Sequence, residues 1–275
     1  MKRLATPFTY LLLTLLALIF VAPILFMVVS SLKPDEMVLS SGLGRAFTVA
    51  HPSLANYADV MERLNFPRVM GNSLLITSAI VASGLLVNSL AGYSLARLRW
   101  RGRRPCLILI LALLIIPFEA IAVPLFFQVT LLGWRDSYQV QIIPFIADAF
   151  SIFLFYSFFL DIPAELEEAA AMDGAGPWRT FFLIVLPTAK PVFATVAVLT
   201  FLMRWGSYLW PLLVTVGETY RPLPVAMAAF ENQVKLWGDI MAFGVMMVLP
   251  VLILFLLCQR WLISGIAATS TGHKG

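Results

Sequence analysis

Residues 161–190 read DIPAELEEAAAMDGAGPWRTFFLIVLPTAK, a polar, alanine-rich and glycine-punctuated stretch between two long apolar runs. Its pattern predicts two helices joined by a turn. Asp161 is placed to cap a helix starting near Pro163, since proline fits a first-turn position, and Glu165, Glu167 and Glu168 favour the positive end of that helix's dipole. Ala169, Ala170 and Ala171 continue it as a smooth, strongly helical face. Gly174, behind Met172 and Asp173, suits a left-handed stop, and Pro177 can open a second helix that runs through Phe181 and Ile184 to a break at Pro187. The expected product is a rigid knob, small-faced on one side and anchored to a membrane by Phe181, Phe182 and Leu186, of a kind that another protein can grip.

Working outward, the flanking runs set the solvent. Of 275 residues, 60% are hydrophobic and 12% charged, with a mean hydropathy of +0.90, against about 45–50% apolar and about 25% charged in soluble domains. That composition excludes a soluble enzyme and a disordered chain. Each of six predominantly apolar runs, approximately 8–32, 71–96, 105–132, 139–160, 191–216 and 240–263, has the length of roughly 20 residues a spanning helix needs. The fold class read from them is an all-α membrane protein, six transmembrane helices and a cytoplasmic helix-turn-helix in one membrane domain over 1–275. The first run exceeds a signal-peptide core and has no A-x-A site after it, so it reads as a retained span. Pro117 and Pro124 should kink or break the third.

Arg97, Arg99, Arg101, Arg103 and Arg104 end the second run, five arginines in eight residues, and mark that loop as cytoplasmic. With six spans, eleven Lys and Arg fall inside with both termini, seven are spread over outside loops, and Arg204 lies within the membrane. The 161–190 knob then faces the cytoplasm. The outside loops, 33–70 and 217–239, read as short caps rather than ligand-binding domains, so ligand recognition should need outside help. Cys106 and Cys258 lie at the edges of apolar runs and suggest neither a disulfide nor a metal site.

The chemical motifs of an enzyme are missing. No G-x-x-x-x-G-K-[ST] phosphate loop, H-E-x-x-H or G-x-S-x-G occurs, and His51 and His273 are isolated. The chain is expected to be no enzyme and to hold no metal or cofactor of its own.

The knob carries a resemblance. Glu168-Ala169-Ala170, Gly174 and Ile184-Val185-Leu186-Pro187 match the spacing E-A-A-x3-G-x9-I-x-L-P of the EAA loop of ABC importer permeases. A generic amphipathic surface helix is the rival reading. The resemblance extends over nearly the whole chain and is closest in type to the carbohydrate-importer branch, similar to its maltose-type six-span permease subunit. Ile116-Pro117, Val123-Pro124-Leu125 and Leu132-Gly133 resemble that branch's third span and its exit. Trp205 with Tyr208-Leu209-Trp210-Pro211 resembles its W-N-x-Y-L-W-P element, with Gly206 where the family usually has Asn, and Gln259-Arg260, Gly265 and Lys274-Gly275 resemble its tail.

The resemblance implies a passive half of an active machine. It implies a homologous second permease subunit, two ATPase subunits that hold ATP and Mg, an extracytoplasmic substrate-binding protein, alternating access, and a bacterial or archaeal cytoplasmic membrane. Independently of it, nineteen Lys and Arg against fifteen Asp and Glu are too small an excess to imply a nucleic-acid partner. It assigns ATPase coupling to Glu168, Ala169, Ala170, Asp173, Gly174, Ile184, Leu186 and Pro187, and docking or regulation to Lys274 and Gly275. The substrate class it implies is a sugar or sugar derivative, glycerol phosphate derivatives included.

Ionisable groups at membrane depth usually face a cavity or a partner. Arg204 reads either as a pathway residue or as the structural counter-ion of Asp148 or Glu119. Trp205 and Tyr208 could stack on sugar rings, although an interfacial aromatic belt explains them, and Trp210 above all, without a ligand. Glu119, Asp148, Arg204, Trp205 and Tyr208 are therefore the candidate pathway. Two other classes use the same residues: a stand-alone channel or ion-coupled carrier, and a membrane-embedded enzyme. Neither needs a cytoplasmic helix-turn-helix.

Overall fold

The computed structural model describes residues 2–40, 42, 46–49 and 51–271, and every regular element among them is helical. Among the described residues, four stretches are long and apolar enough to cross a bilayer: Thr9–Ser31, Phe66–Arg97, Tyr138–Leu160 and Trp237–Gln259. Two bent pairs make six if each counts as one span. Lys274 and Gly275 lie outside the described residues.

The interrupted runs show what the prolines and glycines do. In the third run, Arg103–Leu113 and Phe118–Leu131 meet at 104°. The break falls at Pro117, whose extended backbone (φ −68°, ψ 144°) precedes the second helix, while Pro124 is carried inside that helix. Proline disfavours helical backbone at the residue before it, which places the break ahead of Pro117. In the fifth run, the helix Lys190–Trp205 stops at Gly206, and a short helix, Leu209–Val214, follows. The continuous helix expected over 191–216 therefore ends at Trp205. The fourth run is a short helix, Tyr138–Ile142, a 3-10 turn, Ile143–Phe145, and a helix, Ala149–Leu160. Its broken backbone is repaired by the buried Asn88, whose amide donates to the Ile146 carbonyl (3.1 Å) and accepts from the Asp148 N–H (3.0 Å). Irregular backbone at membrane depth needs such partners.

Contacts gather the chain into two compact units. One comprises residues up to Met70 together with Val225–Val251. Its first helix, Lys2–Ser31, has no buried residue over 9–29, the behaviour of a helix apolar all round. The end of that helix is capped from a distance. Asn56, on the helix Ala55–Leu64, donates to the Ser31 and Lys33 carbonyls at 2.8 and 2.9 Å, satisfying acceptors a helix terminus leaves open. Gly238 packs so tightly here that a Cβ would lie 2.6 Å from the Asn56 amide. Phe66, Phe230 and Phe243 form the aromatic centre of this unit.

The other unit comprises Gly71–Pro224 and the chain from Leu252. Its backbone scaffold is the helix Phe66–Arg97 against Ala149–Leu160, brought close by Gly92, where a Cβ would sit 2.6 Å from that of Phe155. One core cluster includes Tyr93, Phe155, Phe159, Phe181, Val185 and Val192. A second includes Ile76, Ile80, Val140, Phe145, Trp210 and Val214. The knob stands on the first cluster, and a small cleft with mixed polar and apolar walls opens beside the second.

Candidate coupling knob and cleft

The knob starts differently from the expectation. Its first helix is Ala164–Met172, and the residue ahead of it is Pro163, with extended backbone (φ −55°, ψ 132°). Asp161 instead terminates the preceding helix with helical backbone (φ −81°, ψ −9°), so it is not the cap. Pro163 forces Ile162 out of the helical region and supplies the break itself.

The exit of this helix explains the E-A-A-x3-G spacing. Gly174 has φ +78°, and its N–H donates to the Ala171 carbonyl at 3.0 Å while the Ala175 N–H reaches the Ala170 carbonyl at 2.9 Å. These two bonds make a Schellman stop, in which the left-handed residue lies four positions past the carbonyl that receives the bond spanning more residues. Ala170 is buried and Gly174 is exposed. The spacing from Ala170 to Gly174 is thus a backbone requirement.

The second helix runs Pro177–Thr188, with a π-helical stretch at Phe181–Val185, before Lys190–Trp205 leaves at 79°. The break expected at Pro187 comes after Thr188, at Ala189. The π-helical register directly ahead of Pro187 relieves the clash its ring would make with the carbonyl four residues back. Phe181 is 1% exposed and packs on Tyr93 (5.1 Å) and Phe159 (6.3 Å), so this residue anchors the knob to the protein's own core and not to lipid. Phe182 is exposed and stacks on Trp178. Ile184 and Leu186 are half-buried, and Pro187 is exposed.

One side-chain link ties the knob to the second long helix. The Arg97 guanidinium lies 3.1 Å from a Glu167 carboxylate oxygen, an ion pair without the alignment of a hydrogen bond, with the side chains 13% and 21% exposed. Arg97 also donates to the Ile162 carbonyl. Burial pushes the Glu167 carboxyl above the usual carboxylate range, with Arg97 pulling the other way. The outward surface is mixed. Glu168, Ala169 and Asp173 are exposed, and Met172 is 89% exposed beside exposed Leu166, Trp178 and Leu183. Apolar groups and acidic neighbours thus share the exposed side of this helix pair.

The cleft is lined by Ser73, Thr77, Gln141, Phe145, Arg204, Trp205 and Ser207, among others. The Arg204 guanidinium carbon sits 4.2 Å over the Phe145 ring centre, a cation–π contact. Among the described residues it has no ion pair within 4.0 Å, although Asp148 is near enough to interact with it electrostatically. Asp148 is occupied otherwise. Its carboxylate caps the helix Ala149–Leu160 by accepting from the Ser151 N–H (2.8 Å) and hydroxyl (2.7 Å). The buried Gln141 donates to the Tyr220 carbonyl and leaves its own carbonyl oxygen unpartnered.

Of the candidate pathway, Arg204 and Trp205 line the cleft and Asp148 stands near it. Glu119 and Tyr208 are exposed and do not line it. Trp210 corrects the belt reading: it is 1% exposed in the second core cluster and donates to the Val140 carbonyl at 2.9 Å. The sequence reading missed Ser73, Thr77, Gln141 and Ser207, and it took Arg97 for a topology anchor alone. Ser73 and Thr77 are spaced i, i+4 on one helical face, a signal the sequence does carry. Among the described residues no group of three or more His, Cys, Asp or Glu could hold a metal ion.

A family model described as "Binding-protein-dependent transport system inner membrane component" matches residues 84–267, a stretch containing the whole knob. The chain belongs to this family. It is 34% identical, over all of both chains, to the arabinooligosaccharides transport system permease protein AraQ of Halalkalibacterium halodurans. It is 32% identical to the trehalose/maltose transport system permease protein MalG of Thermococcus litoralis, covering 92% of each. It is also 35% identical to the sn-glycerol-3-phosphate transport system permease protein UgpE of Pectobacterium atrosepticum, covering 73% of each. Among solved structures, a chain of a bacterial ABC transporter involved in the import of the acidic polysaccharide alginate superposes with a TM-score of 0.84 at 25% identity, covering 95% of this chain and 97% of that one. The expected all-α importer permease fold is therefore shown, with four to six candidate membrane helices. The chain is a multi-pass permease subunit.

Proposed function

We propose that this permease moves a sugar or sugar derivative into the cytoplasm by alternating access, with the 161–190 knob as its mechanical input. The observation that carries the coupling assignment is the knob itself. Its helix pair is closed by a Schellman turn, rooted by Phe181 and Arg97, and presents exposed Met172, Trp178 and Glu168. On this reading two separate ATPase subunits bind and hydrolyse ATP with Mg and close on the knob. A homologous second permease completes the pathway, and an extracytoplasmic binding protein delivers substrate. The membrane is a bacterial or archaeal cytoplasmic one, with both termini on the ATPase side. Glu168, Ala169, Ala170, Asp173, Gly174, Ile184, Leu186 and Pro187 act as couplers, none of them chemically.

The knob moves as a lever. Because Arg97 joins Glu167 to the end of the helix Phe66–Arg97, a push on the knob reaches that helix as well as its own two neighbours. Ser73 and Thr77 lie on the same helix at the cleft. From Arg97 to Thr77 is twenty positions, about 30 Å of helix at 1.5 Å per residue.

Relatives named for arabinooligosaccharide, trehalose/maltose, diacetylchitobiose and lactose transport support a carbohydrate substrate. A second reading, an anionic derivative such as a glycerol phosphate, draws on the cation at the cleft, Arg204, and on the UgpE relatives. The test is to purify the chain with its co-expressed neighbours and screen the cognate binding protein by thermal shift. A neutral oligosaccharide raising the melting temperature supports the first reading and a sugar phosphate the second. Absence of any ATPase subunit from the purified complex would contradict both.

A further inference from the structure

We propose that the loop between the helices Phe66–Arg97 and Arg103–Leu113 is a binding surface for anionic phospholipid headgroups, held by Arg99, Arg101 and Arg104. Five arginines crowd this loop, and the structure divides them. Arg97 is committed to Glu167 and the Ile162 carbonyl, and Arg103 donates to the Ala96 carbonyl at 3.0 Å. The other three are exposed and, among the described residues, make no hydrogen bond and meet no carboxylate within 4.0 Å. Glu167 and Glu168 border the groove that Arg99 shares, but Glu167 is held by Arg97. Gly102, with φ +95°, makes the turn that sets Arg101 and Arg104 on either side of it.

The surroundings are those of a bilayer interface. Trp100 is 41% exposed, with its ring N–H on the Ser94 carbonyl, the amphipathic placement that suits headgroup depth. Ile108 and Leu109 are exposed on the next helix, and Ile108 is four positions beyond Arg104, about 6 Å along the axis. The guanidinium groups thus lie just outside the surface that hydrocarbon would cover. A guanidinium fork matches two oxygens of one phosphate. The rival occupant, an acidic face of a protein gripping the knob, fits less well. The knob already exposes Asp161, Glu165, Glu168 and Asp173 against Arg179 and Lys190, so its partner needs the opposite charge.

The proposal does not depend on the transport reading and can be tested on the full-length protein, purified with its bound partners into nanodiscs. Tryptophan quenching is measured with brominated phosphatidylglycerol and brominated phosphatidylcholine, and the Trp100 share is the difference between the native protein and Trp100→Phe. Phosphatidylglycerol should bind at least about fivefold more tightly, the contribution of one arginine near an anionic surface. The preference should vanish in Arg99→Gln/Arg101→Gln/Arg104→Gln and persist in the corresponding triple lysine variant. Should the glutamine triple fail to insert, Arg99→Gln and Arg101→Gln singly should each weaken the preference. Equal quenching by both lipids, a preference that survives in the glutamine variants, or capture of protein in place of lipid by a photoreactive residue at 101 would overturn the proposal.

Discussion

Arg97 and Glu167 show why a partly buried ion pair needs a sign. Burial raises the Glu167 carboxyl above its ordinary value despite Arg97, so its charged form is disfavoured in the folded knob. The stabilisation is then complete below the unfolded carboxylate value, about 4.3, and is lost as pH rises through the raised folded value. Glu167→Gln should therefore leave hydrogen-exchange protection of residues 164–172 unchanged or higher at neutral pH and remove its pH dependence. Arg97→Gln should lower that protection by about 1 kcal/mol, because it leaves a partly buried carboxylate and the Ile162 carbonyl without their cation. At the cleft, Arg204→Ala should reduce uptake without loss of assembly, and Arg204→Lys should restore part of it. Since Asp148 serves as a cap and Phe145 holds the guanidinium, Arg204→Met with Asp148→Asn should not recover transport. Recovery in that pair would make Arg204 a counter-ion only.

At the level of elements, two glycines carry separate predictions. At Gly174 nothing lies within 4 Å of an added Cβ, so Gly174→Ala should strain only the left-handed backbone, by about 1–2 kcal/mol. Gly174→Leu adds bulk on the docking face, and should leave ATP hydrolysis running with uptake reduced, as should Glu168→Lys. At Gly92, by contrast, a Cβ meets Phe155 at 2.6 Å, and Gly92→Ala should cost about 1–3 kcal/mol by separating two packed helices, read as a lower melting temperature of the purified complex. The elements were legible where apolar runs or Gly and Pro punctuation mark them, as at Gly174 and Pro117. They were not where a distant side chain decides: Asn88 repairs a break 58 residues away, and Arg97 reaches a partner 70 residues on. The break at Gly206, after the helix Lys190–Trp205, is hidden in the sequence because the apolar run continues past it into Leu209–Val214.

For the whole molecule, the claims are orientation and coupling. Ser73, Thr77 and Gln141 escaped notice because neutral polar residues inside a span have no charge to betray them, whereas Arg204 does. The knob was recognisable because its spacing is fixed by backbone hydrogen bonds. Orientation can be checked in a background free of Cys106 and Cys258: a cysteine at Ser53 should label from outside intact cells and one at Arg101 should not. The central claim, that the knob is the site where an ATPase drives this permease, is tested most directly by a photoreactive residue in place of Met172, which is 89% exposed at the tip of the helix Ala164–Met172. In membranes containing the co-expressed system it should cross-link to the ATPase subunit, with a yield that changes when ATP is added. Cross-linking to lipid alone, or to the ATPase with a yield indifferent to ATP, would contradict the account.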